Sequence, residues 1–220
     1  QVASVLADSL GAGSEYDTLR QHTSHYAEDH WGERAPVDPG PPSAAVALLQ
    51  AARALLPEVP DGPVLDLGCG TGRTTFDLAA ETGRPTLGID LHFGMLRVAA
   101  GLLRSGTVTY DRRAVGMLYD RRSFRPGVDG ADVDFWVADA TALPFPDDVA
   151  GLAVSLNLLD CVMNPRTHLT EVQRVTHGAA LVTSPYDWSP TATPPDSWLG
   201  GHLARSEGGG GLPEEALLGL

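Results

Sequence analysis

The segment at residues 64–73, which reads VLDLGCGTGR, constrains the fold of this chain more than any other stretch. A short apolar run containing one acid leads into three glycines at alternate positions, and a helix-favouring stretch follows from Thr74. Glycine has no Cβ, so the backbone can turn sharply there and approach a ligand closely. The pattern predicts a buried strand, a glycine loop and a helix whose free N–H groups face that ligand.

The spacing of the glycines separates two kinds of α/β fold. A dinucleotide-binding fingerprint has the spacing G-x-G-x-x-G and would require glycine where this chain has Arg73. Here the third glycine is Gly72, and Asp66 lies two residues before the first. The carboxylate favours a positively charged ligand that carries an amino acid over a pyrophosphate.

Two later strands are also predicted to end in acidic residues. The strand at 85–90 ends at Asp90, 24 residues after the acid of the glycine segment. Such folds place a ribose-binding carboxylate at an offset of about 20 residues, and a carboxylate can accept from both hydroxyls of a ribose. The strand at 133–140 ends at Asp139 and Ala140.

These elements resemble the class I S-adenosylmethionine-dependent methyltransferases, and apolar runs at 150–157 and 179–185 supply two further strands of their sheet. The resemblance implies an α/β fold, a Rossmann-like sheet with helices on both faces, and S-adenosyl-L-methionine as cofactor. It also implies that Asp139 accepts from the adenine amino group while the backbone of Ala140 meets the ring. The expected cofactor contacts are Asp66, Gly68, Gly70, Thr71, Gly72, Asp90, Leu91, Asp139, Ala140 and Asn157.

The composition of the chain limits which molecules it can bind and in which cellular compartment it is expected. The 220 residues suit one α/β domain. The formal charge of −13 argues against a nucleic-acid substrate, because phosphate binding needs a basic face. The two cysteines are too few for a disulfide framework and fit a reducing cytosol. No apolar run reaches the roughly 18 residues of a membrane span. We therefore expect a cytoplasmic enzyme with a small-molecule acceptor, no nucleic-acid or membrane partner, no metal, and an undefined oligomeric state.

The chain is predicted to divide into an N-terminal lid and linker, residues 1–42, and a methyltransferase domain, residues 43–220. A proline-rich stretch separates the polar, aromatic first segment from a helix capped by Ser43, so we expect that segment to fold over the ligand edge of the sheet. The usual sixth and seventh strands of the sheet are missing, which indicates either an incomplete chain or a reduced sheet. Helices are predicted at 44–56, 94–103, 165–175 and 213–218, with His168 and His177 exposed around the third.

A repeated YDRR sequence, at 110–113 and 119–122, lies in two β-prone stretches. It predicts a β-hairpin inserted at about 107–125. The four arginines of the repeat either contact an acidic substrate or partner, or face solvent.

Several segments outside the cofactor motifs resemble one subfamily, the methyltransferase domain of ovothiol-biosynthesis proteins, a mercaptohistidine N-methyltransferase. This resemblance implies methylation of an imidazole nitrogen or thiol of a mercaptohistidine-like acceptor. The matching features are His25 with Tyr26, the hairpin, and the segments at 157–160, 184–188 and 198–201.

Residues that follow the strands at 150–157 and 179–185 lie at the edge where open α/β sheets bind ligands. We therefore predict catalytic roles for Asn157 and Asp160, with Tyr26 contributed by the lid, and expect Asp160 to hold an acceptor ammonium. The predicted acceptor contacts are His25, Tyr26, Asp160, Tyr186, Trp188 and Trp198.

Other interpretations of these residues stay open. Asp160 can instead cap a turn, and Trp188 and Trp198 can pack their loop against the sheet. The enzyme can also be one that methylates a hydroxyl or amine of a natural product. A further alternative is a regulatory protein that binds the cofactor without catalysis.

Overall fold

A computed structural model describes residues 11–56 and 58–201 of the chain. The helix predicted at 213–218 lies outside these ranges, within which no helix has the length and apolar character needed to cross a membrane. The helices are α1 (Glu15–Trp31), α2 (Ala44–Arg53), α3 (Arg73–Thr82), α4 (Phe93–Ser105) and α5 (Pro165–Val175). The strands are β1 (Val64–Leu67), β2 (Thr86–Asp90), β3 (Val108–Val115), β4 (Leu118–Phe124), β5 (Val133–Val137), β6 (Ala150–Leu156) and β7 (Thr176–Thr183).

Five of the strands form a parallel sheet in the order β5-β2-β1-β6-β7, with helices on both faces. On one face Leu67 packs in a cluster with Val172 of α5. On the other face Val64 packs with Leu49 of α2 and Leu78 of α3. Strand β1 is buried along its whole length for this reason. The predicted α/β sheet is confirmed.

The strand order reverses at β1, which pairs with β2 on one side and with β6 on the other. Open α/β sheets bind ligands in the crevice that such a reversal leaves at the carboxyl ends of the strands. Leu67 is in register with Ile89 of β2 and Ser155 of β6. The loops that follow these three strands therefore converge on one edge.

Two strands differ from the prediction at their boundaries. Strand β5 stops at Val137 and does not reach Ala140, because Asp139 accepts hydrogen bonds from the amide and hydroxyl of Thr141 and turns the chain. Strand β7 begins at Thr176, three residues before the predicted start. Both differences leave the predicted ligand-side residues in loops.

Helix α1 has no counterpart in the sequence prediction, because its apolar residues do not form a continuous stripe. Ser14 caps it by accepting a hydrogen bond from the amide of Asp17 at 3.1 Å. The helix is held from outside: Ser24 Oγ accepts from the amide of Arg113 at 2.8 Å. Tertiary contacts of this kind stabilise a helix that its own pattern does not favour.

The predicted hairpin is confirmed as β3 and β4, an antiparallel pair beside α1. Two of its arginines bind the linker, since Arg112 and Arg122 pair with Asp38 at 2.7 and 3.1 Å. A third, Arg113, donates from Nε to the carbonyl of Gly116 within the hairpin turn. Most of the arginine repeat therefore holds the hairpin in place.

Candidate active site

An open cleft of about 1770 Å³ lies at the carboxyl edge of the parallel strands. Its walls are α1, the start of α2, the glycine loop, α4 along its length, the hairpin and the loops after β5 and β6. Pockets for a single small ligand span roughly 300–1,000 Å³. The cleft therefore has room for a cofactor and a second molecule together.

The glycine loop is shaped by the packing behind it as well as by the cleft in front. Gly68 and Gly70 line the cleft, whereas Thr71 and Gly72 do not. A Cβ on Gly72 would lie 2.8 Å from Cβ of Ala99, and the φ angle of Gly72 is 87°. Only glycine fits this position.

Asp90, the acid at the end of β2, ties the glycine loop to the start of α4. Its Oδ2 accepts from the amide of Gly70 at 2.8 Å, and its Oδ1 accepts from the amide of His92 at 2.7 Å. Each carboxylate oxygen can accept a second hydrogen bond, so both ribose hydroxyls can still bind. Burial raises the pKa of the Asp90 carboxyl above its ordinary value.

Asp66 is buried beneath the cleft and holds the first turn of α3. Its Oδ2 accepts from the hydroxyls of Thr74 and Thr75, each at 2.7 Å. Burial raises the pKa of Asp66 to about 6. The predicted ligand carboxylate is therefore also the side chain that orients the helix.

Ala140, at the predicted adenine end, is held by a buried histidine. Nδ1 of His168 lies 3.0 Å from the Ala140 carbonyl oxygen, and its Nε2 lies 2.9 Å from Oγ of Ser155. A carbonyl only accepts, so Nδ1 carries the proton and Nε2 accepts from Ser155. Burial lowers the pKa of the imidazole, which favours this neutral form. The expectation that His168 is exposed is wrong, since its exposed fraction is 0%.

The carboxyl end of α1 is fixed against the glycine loop. Nε1 of the buried Trp31 donates to the carbonyl of Thr71 at 3.1 Å. The guanidinium of Arg73 donates to the carbonyl of His30 at 2.9 Å. Burial lowers the pKa of His30 to about 4, so the imidazole is neutral in the cleft wall. The sequence analysis missed His30 and Trp31, because no local pattern signals a contact between segments some 40 residues apart.

Tyr26 and His25 line the cleft from α1, as the lid prediction requires. The two rings meet edge to face with centroids 5.8 Å apart, and Tyr26 meets His30 in the same way at 6.3 Å. Burial, and then the charges of Cys161 and Asp90, raise the pKa of the Tyr26 hydroxyl. The hydroxyl therefore keeps its proton at neutral pH and can donate a hydrogen bond.

Asn157 and Asp160 follow β6, but only Asn157 lines the cleft. Asn157 has a left-handed backbone (φ 51°), and its amide donates to the carbonyl of Thr183 at 3.0 Å. Asp160 is 3% exposed, and its Oδ2 accepts from the amide of Asp187 at 2.9 Å. Oδ1 of Asp160 is buried and has no hydrogen-bond partner among the described residues.

The aromatic loop after β7, with Tyr186, Trp188 and Trp198, does not line the cleft. Trp188 and Trp198 stack with ring centroids 6.2 Å apart. Nε1 of Trp198 donates to the carbonyl of Thr193 at 2.8 Å, and Oγ1 of Thr193 lies 3.0 Å from the Asp160 carbonyl oxygen. The loop therefore packs on the segment after β6, and its contact with an acceptor stays a prediction.

His92 is a cleft residue that the sequence analysis also missed. Its Nδ1 accepts from the amide of Met95 at 3.2 Å and caps α4. Nε2 therefore carries the proton in the neutral ring. This atom is buried and has no partner among the described residues. The sequence does contain a signal for this role, because His92 occupies the position of an N-cap residue directly before an apolar helical run.

Comparison with known proteins assigns the family. The family described as methyltransferase domain matches residues 65–182, more than half of the chain. The chain belongs to the S-adenosylmethionine-dependent methyltransferases. A Methanococcus maripaludis protein assigned to the same class has a similar fold, with a TM-score of 0.55 and 13% identity over 79% of this chain and 68% of that one.

Two curated methyltransferases are similar to parts of the chain. An uncharacterized methyltransferase of Emericella nidulans is 45% identical over 69 residues, covering 29% of this chain and 24% of that protein. A demethylmenaquinone methyltransferase of Renibacterium salmoninarum is 33% identical over 130 residues, covering 58% of this chain and 43% of that protein. The chain thus matches less than half the length of either relative, and neither identifies its acceptor.

The cleft of this methyltransferase fits the family cofactor, S-adenosyl-L-methionine. Asp90 has free acceptor capacity for ribose hydroxyls, and the exposed side chain of Leu91 offers apolar surface beside it. The unpartnered Nε2 of His92 can donate to a polar group of a ligand. Asp66, which also lines the cleft, suits the positive charge of the methionine part, and Asp139 lines it beside Ala140, where the adenine amino group is predicted to bind.

Proposed function

We propose that this chain transfers a methyl group from S-adenosyl-L-methionine to a ring nitrogen or thiol of a mercaptohistidine-like acceptor. When bound, the cofactor supplies a methyl group on a positively charged sulfur; the carbon–sulfur bond breaks as the bond to the acceptor forms, giving S-adenosylhomocysteine and a proton. The protein contributes mainly by holding the reactants in line, which is worth roughly 7–11 kcal/mol of the barrier in well-oriented systems.

The observation that carries the proposal is the wall of phenol and imidazole rings that α1 presents to the cleft. Tyr26, His25 and His30 line the cleft from α1, and their edge-to-face contacts fix the rings against one another. Such rings suit a flat heteroaromatic acceptor, which packs on them by edge or by face. The protonated hydroxyl of Tyr26 would donate to a heteroatom of the acceptor and orient it.

Asp160, buried behind the cleft wall beside the cleft residue Cys161, supports the same acceptor. Its charge acts on Tyr26, and its Oδ1 is buried without a partner among the described residues. A buried carboxylate oxygen left unpaired is costly, so a cationic group nearby would be bound favourably. The ammonium of an amino-acid acceptor is such a group.

A second candidate function is methylation of a hydroxyl or amine of a larger natural product. The size of the cleft favours it, because about 1770 Å³ is more than a cofactor and an imidazole amino acid need. The experiment for both candidates is one assay. Purified protein is incubated with tritium-labelled S-adenosyl-L-methionine and a panel of mercaptoimidazoles, thiols, amines and hydroxylated aromatics.

Methylation of a mercaptoimidazole at the highest kcat/KM in the panel is the expected result. Preferred methylation of a hydroxylated aromatic would replace the first candidate with the second. Cofactor binding without any transfer would instead favour the regulatory protein, and both catalytic candidates would fail.

Asp160→Asn tests the role of the carboxylate in acceptor binding. The amide keeps an oxygen for the Asp187 amide but loses the charge, so KM for an acceptor with an ammonium should rise about tenfold or more, with S-adenosylhomocysteine affinity unchanged. Asp196→Asn, an exposed residue of the same loop, is the matched control. An unchanged KM in Asp160→Asn would remove Asp160 from the acceptor site.

A further inference from the structure

The charged side chains of the cleft are segregated by sign. Asp66, Asp90 and Asp139, at the ends of the strands, are joined by Asp29 of α1, and no arginine that lines the cleft accompanies them there. The arginines that line the cleft lie on α1, α4 and the hairpin, and Asp111 is the acid among them. The cleft is thus acidic at the strand ends and basic toward the hairpin.

Helix α4 connects the two ends. It begins beside Asp90 and ends before the hairpin, and Gly94, Arg97 and Gly101 line the cleft along one stripe of it. A Cβ added to Gly101 would meet no atom within 4 Å, so the space along the helix is open. We call this part of the cleft, between α1 and α4 and closed by the hairpin, the outer groove.

Two guanidinium groups in the outer groove have no counter-ion. Arg20 pairs with Asp111 at 3.1 Å and lies 3.7 Å above the ring of Tyr119, so both charges of that pair are engaged. Within residues 11–56 and 58–201, neither Arg97 nor Arg121 has a carboxylate within 4.0 Å.

The hairpin explains why Arg121 differs from the other arginines of its repeat. Arg122 points to the buried face of the hairpin, where it binds Asp38. Arg121 is on the opposite face of the same strand, which lines the outer groove with Thr109 and Asp111. Arg97 and Arg121 are both exposed to solvent, and unpaired cations along a concave surface raise the local concentration of anionic ligands.

We propose that the outer groove binds an anionic group of the acceptor, a carboxylate remote from its ammonium, through Arg97 and Arg121. The inference rests on the proposed function and adds the charge of the substrate to it. A guanidinium matches a carboxylate with two parallel hydrogen bonds. The segregated charges would direct the cationic cofactor to the strand ends and the anionic part of the acceptor to the groove, which leaves the two reacting centres between them.

The first test measures anion binding without turnover. Anilinonaphthalene sulfonate is titrated, by fluorescence, into protein saturated with S-adenosylhomocysteine, and the uncharged phenylnaphthylamine serves as the neutral probe. Exposed ion pairs are each worth a factor of about two to five, so the double variant Arg97→Ala with Arg121→Ala should weaken sulfonate binding about tenfold. Its affinity for the neutral probe should not change.

The matched control replaces two arginines outside the groove. Arg104 is exposed on α4 and Arg125 is exposed just after β4, and neither lines the cleft. Their double alanine variant has the same net charge as the test variant and should bind the sulfonate like the wild type. Equal sulfonate affinity in all three proteins, or equal losses in both variants, would overturn the proposal.

The second test uses the substrate found in the acceptor panel. The acceptor is compared with an analogue that lacks the carboxylate. Only the KM of the carboxylate form should rise with ionic strength. Only that KM should also rise in Arg97→Ala and in Arg121→Ala. If methyl transfer is intact but both forms of the acceptor respond equally to salt and to the arginine variants, the assignment of the groove is overturned and the proposed acceptor stands. Absence of transfer to imidazoles and thiols, with sulfonate binding still dependent on both arginines, would overturn the proposed acceptor and leave the groove.

Discussion

Single carboxylates at the strand ends organise this site, because each accepts two hydrogen bonds from neighbouring segments. Asp90 accepts from the glycine loop and from the start of α4. Asp66 accepts from two hydroxyls of α3. These residues therefore shape the cleft and also face any ligand in it. Substitution of either carboxylate therefore changes both the affinity for ligands and the stability of the fold. The contribution to stability can be recognised because it depends on pH.

Asp90→Ala should weaken binding of S-adenosylhomocysteine by about 10- to 100-fold. The variant removes the charged acceptor of the ribose hydroxyls, a net loss of about 1.5–3 kcal/mol, and frees the amides of Gly70 and His92. Titration calorimetry measures the change. Asp132→Ala, an exposed acid just before β5, should bind as the wild type does. An unchanged affinity in Asp90→Ala would remove this residue from the ribose site.

Asp66 should make the stability of the protein fall as pH rises from about 4 to 6, because burial raises its pKa from 3.8 to about 6. In that window the folded protein holds a proton that the unfolded chain has lost, so this contribution is complete below the lower value and is lost through the upper one. Asp66→Asn keeps an oxygen for Thr74 and Thr75 and does not titrate.

Urea unfolding of both proteins across this pH range measures the effect. The free energy of unfolding of the wild type, minus that of Asp66→Asn, should decrease by about 2 kcal/mol between pH 4 and pH 6. A difference that stays constant with pH would mean that Asp66 is not desolvated in the folded protein.

At the scale of elements, local pattern predicts most of the fold. The strands β1, β2 and β6 are short apolar runs that end at or just before a glycine, an acid or a polar turn residue, and the hairpin has two β-prone stretches around a glycine. Helix α1 is the exception. Its buried residues Ala27 and Trp31 gain their partners from the hairpin and the glycine loop, and such tertiary contacts leave no period in the sequence.

Helix α1 should exchange its amide hydrogens in two parts. The turns from Ser24 to Trp31 are anchored by hydrogen bonds to Arg113 and Thr71, so they should be protected without any ligand. The turns at 15–23 line the outer groove and should gain protection when anilinonaphthalene sulfonate binds there. Hydrogen exchange with mass spectrometry measures both parts. Exchange of the whole helix as one unit would indicate a lid that moves as a rigid body.

Trp31→Phe tests the hydrogen bond that fixes the end of α1 to the glycine loop. Phenylalanine keeps an aromatic ring beside Phe76 and removes the indole N–H that donates to Thr71, a loss of about 1 kcal/mol. Exchange at the end of α1 should become faster in this variant. If it stays at the wild-type rate, the indole hydrogen bond does not limit opening of the helix.

At the scale of the whole molecule, the site collects residues from nearly every loop at one sheet edge. The sequence predicts the part that depends on the order of strands: Gly68, Gly70, Asp90 and Asp139 line the cleft. It does not predict the part that depends on distant packing. His30, His92, Arg97 and Arg121 enter the cleft because α1, α4 and the hairpin meet there, which no local pattern records.

Because all these segments share one cleft, a ligand bound there should stabilise the protein as a whole. S-adenosylhomocysteine at about 100 times its Kd should raise the free energy of unfolding by about 2.7 kcal/mol. Calorimetric scans should show one transition that moves upward, since α1 is tied both to the glycine loop and to the hairpin. Arg104→Ala should show the same shift, and Asp90→Ala should show a much smaller one. A second transition whose temperature does not change with ligand concentration would mean that α1 and the hairpin unfold independently of the cofactor site. The cleft wall would then not be one cooperative unit.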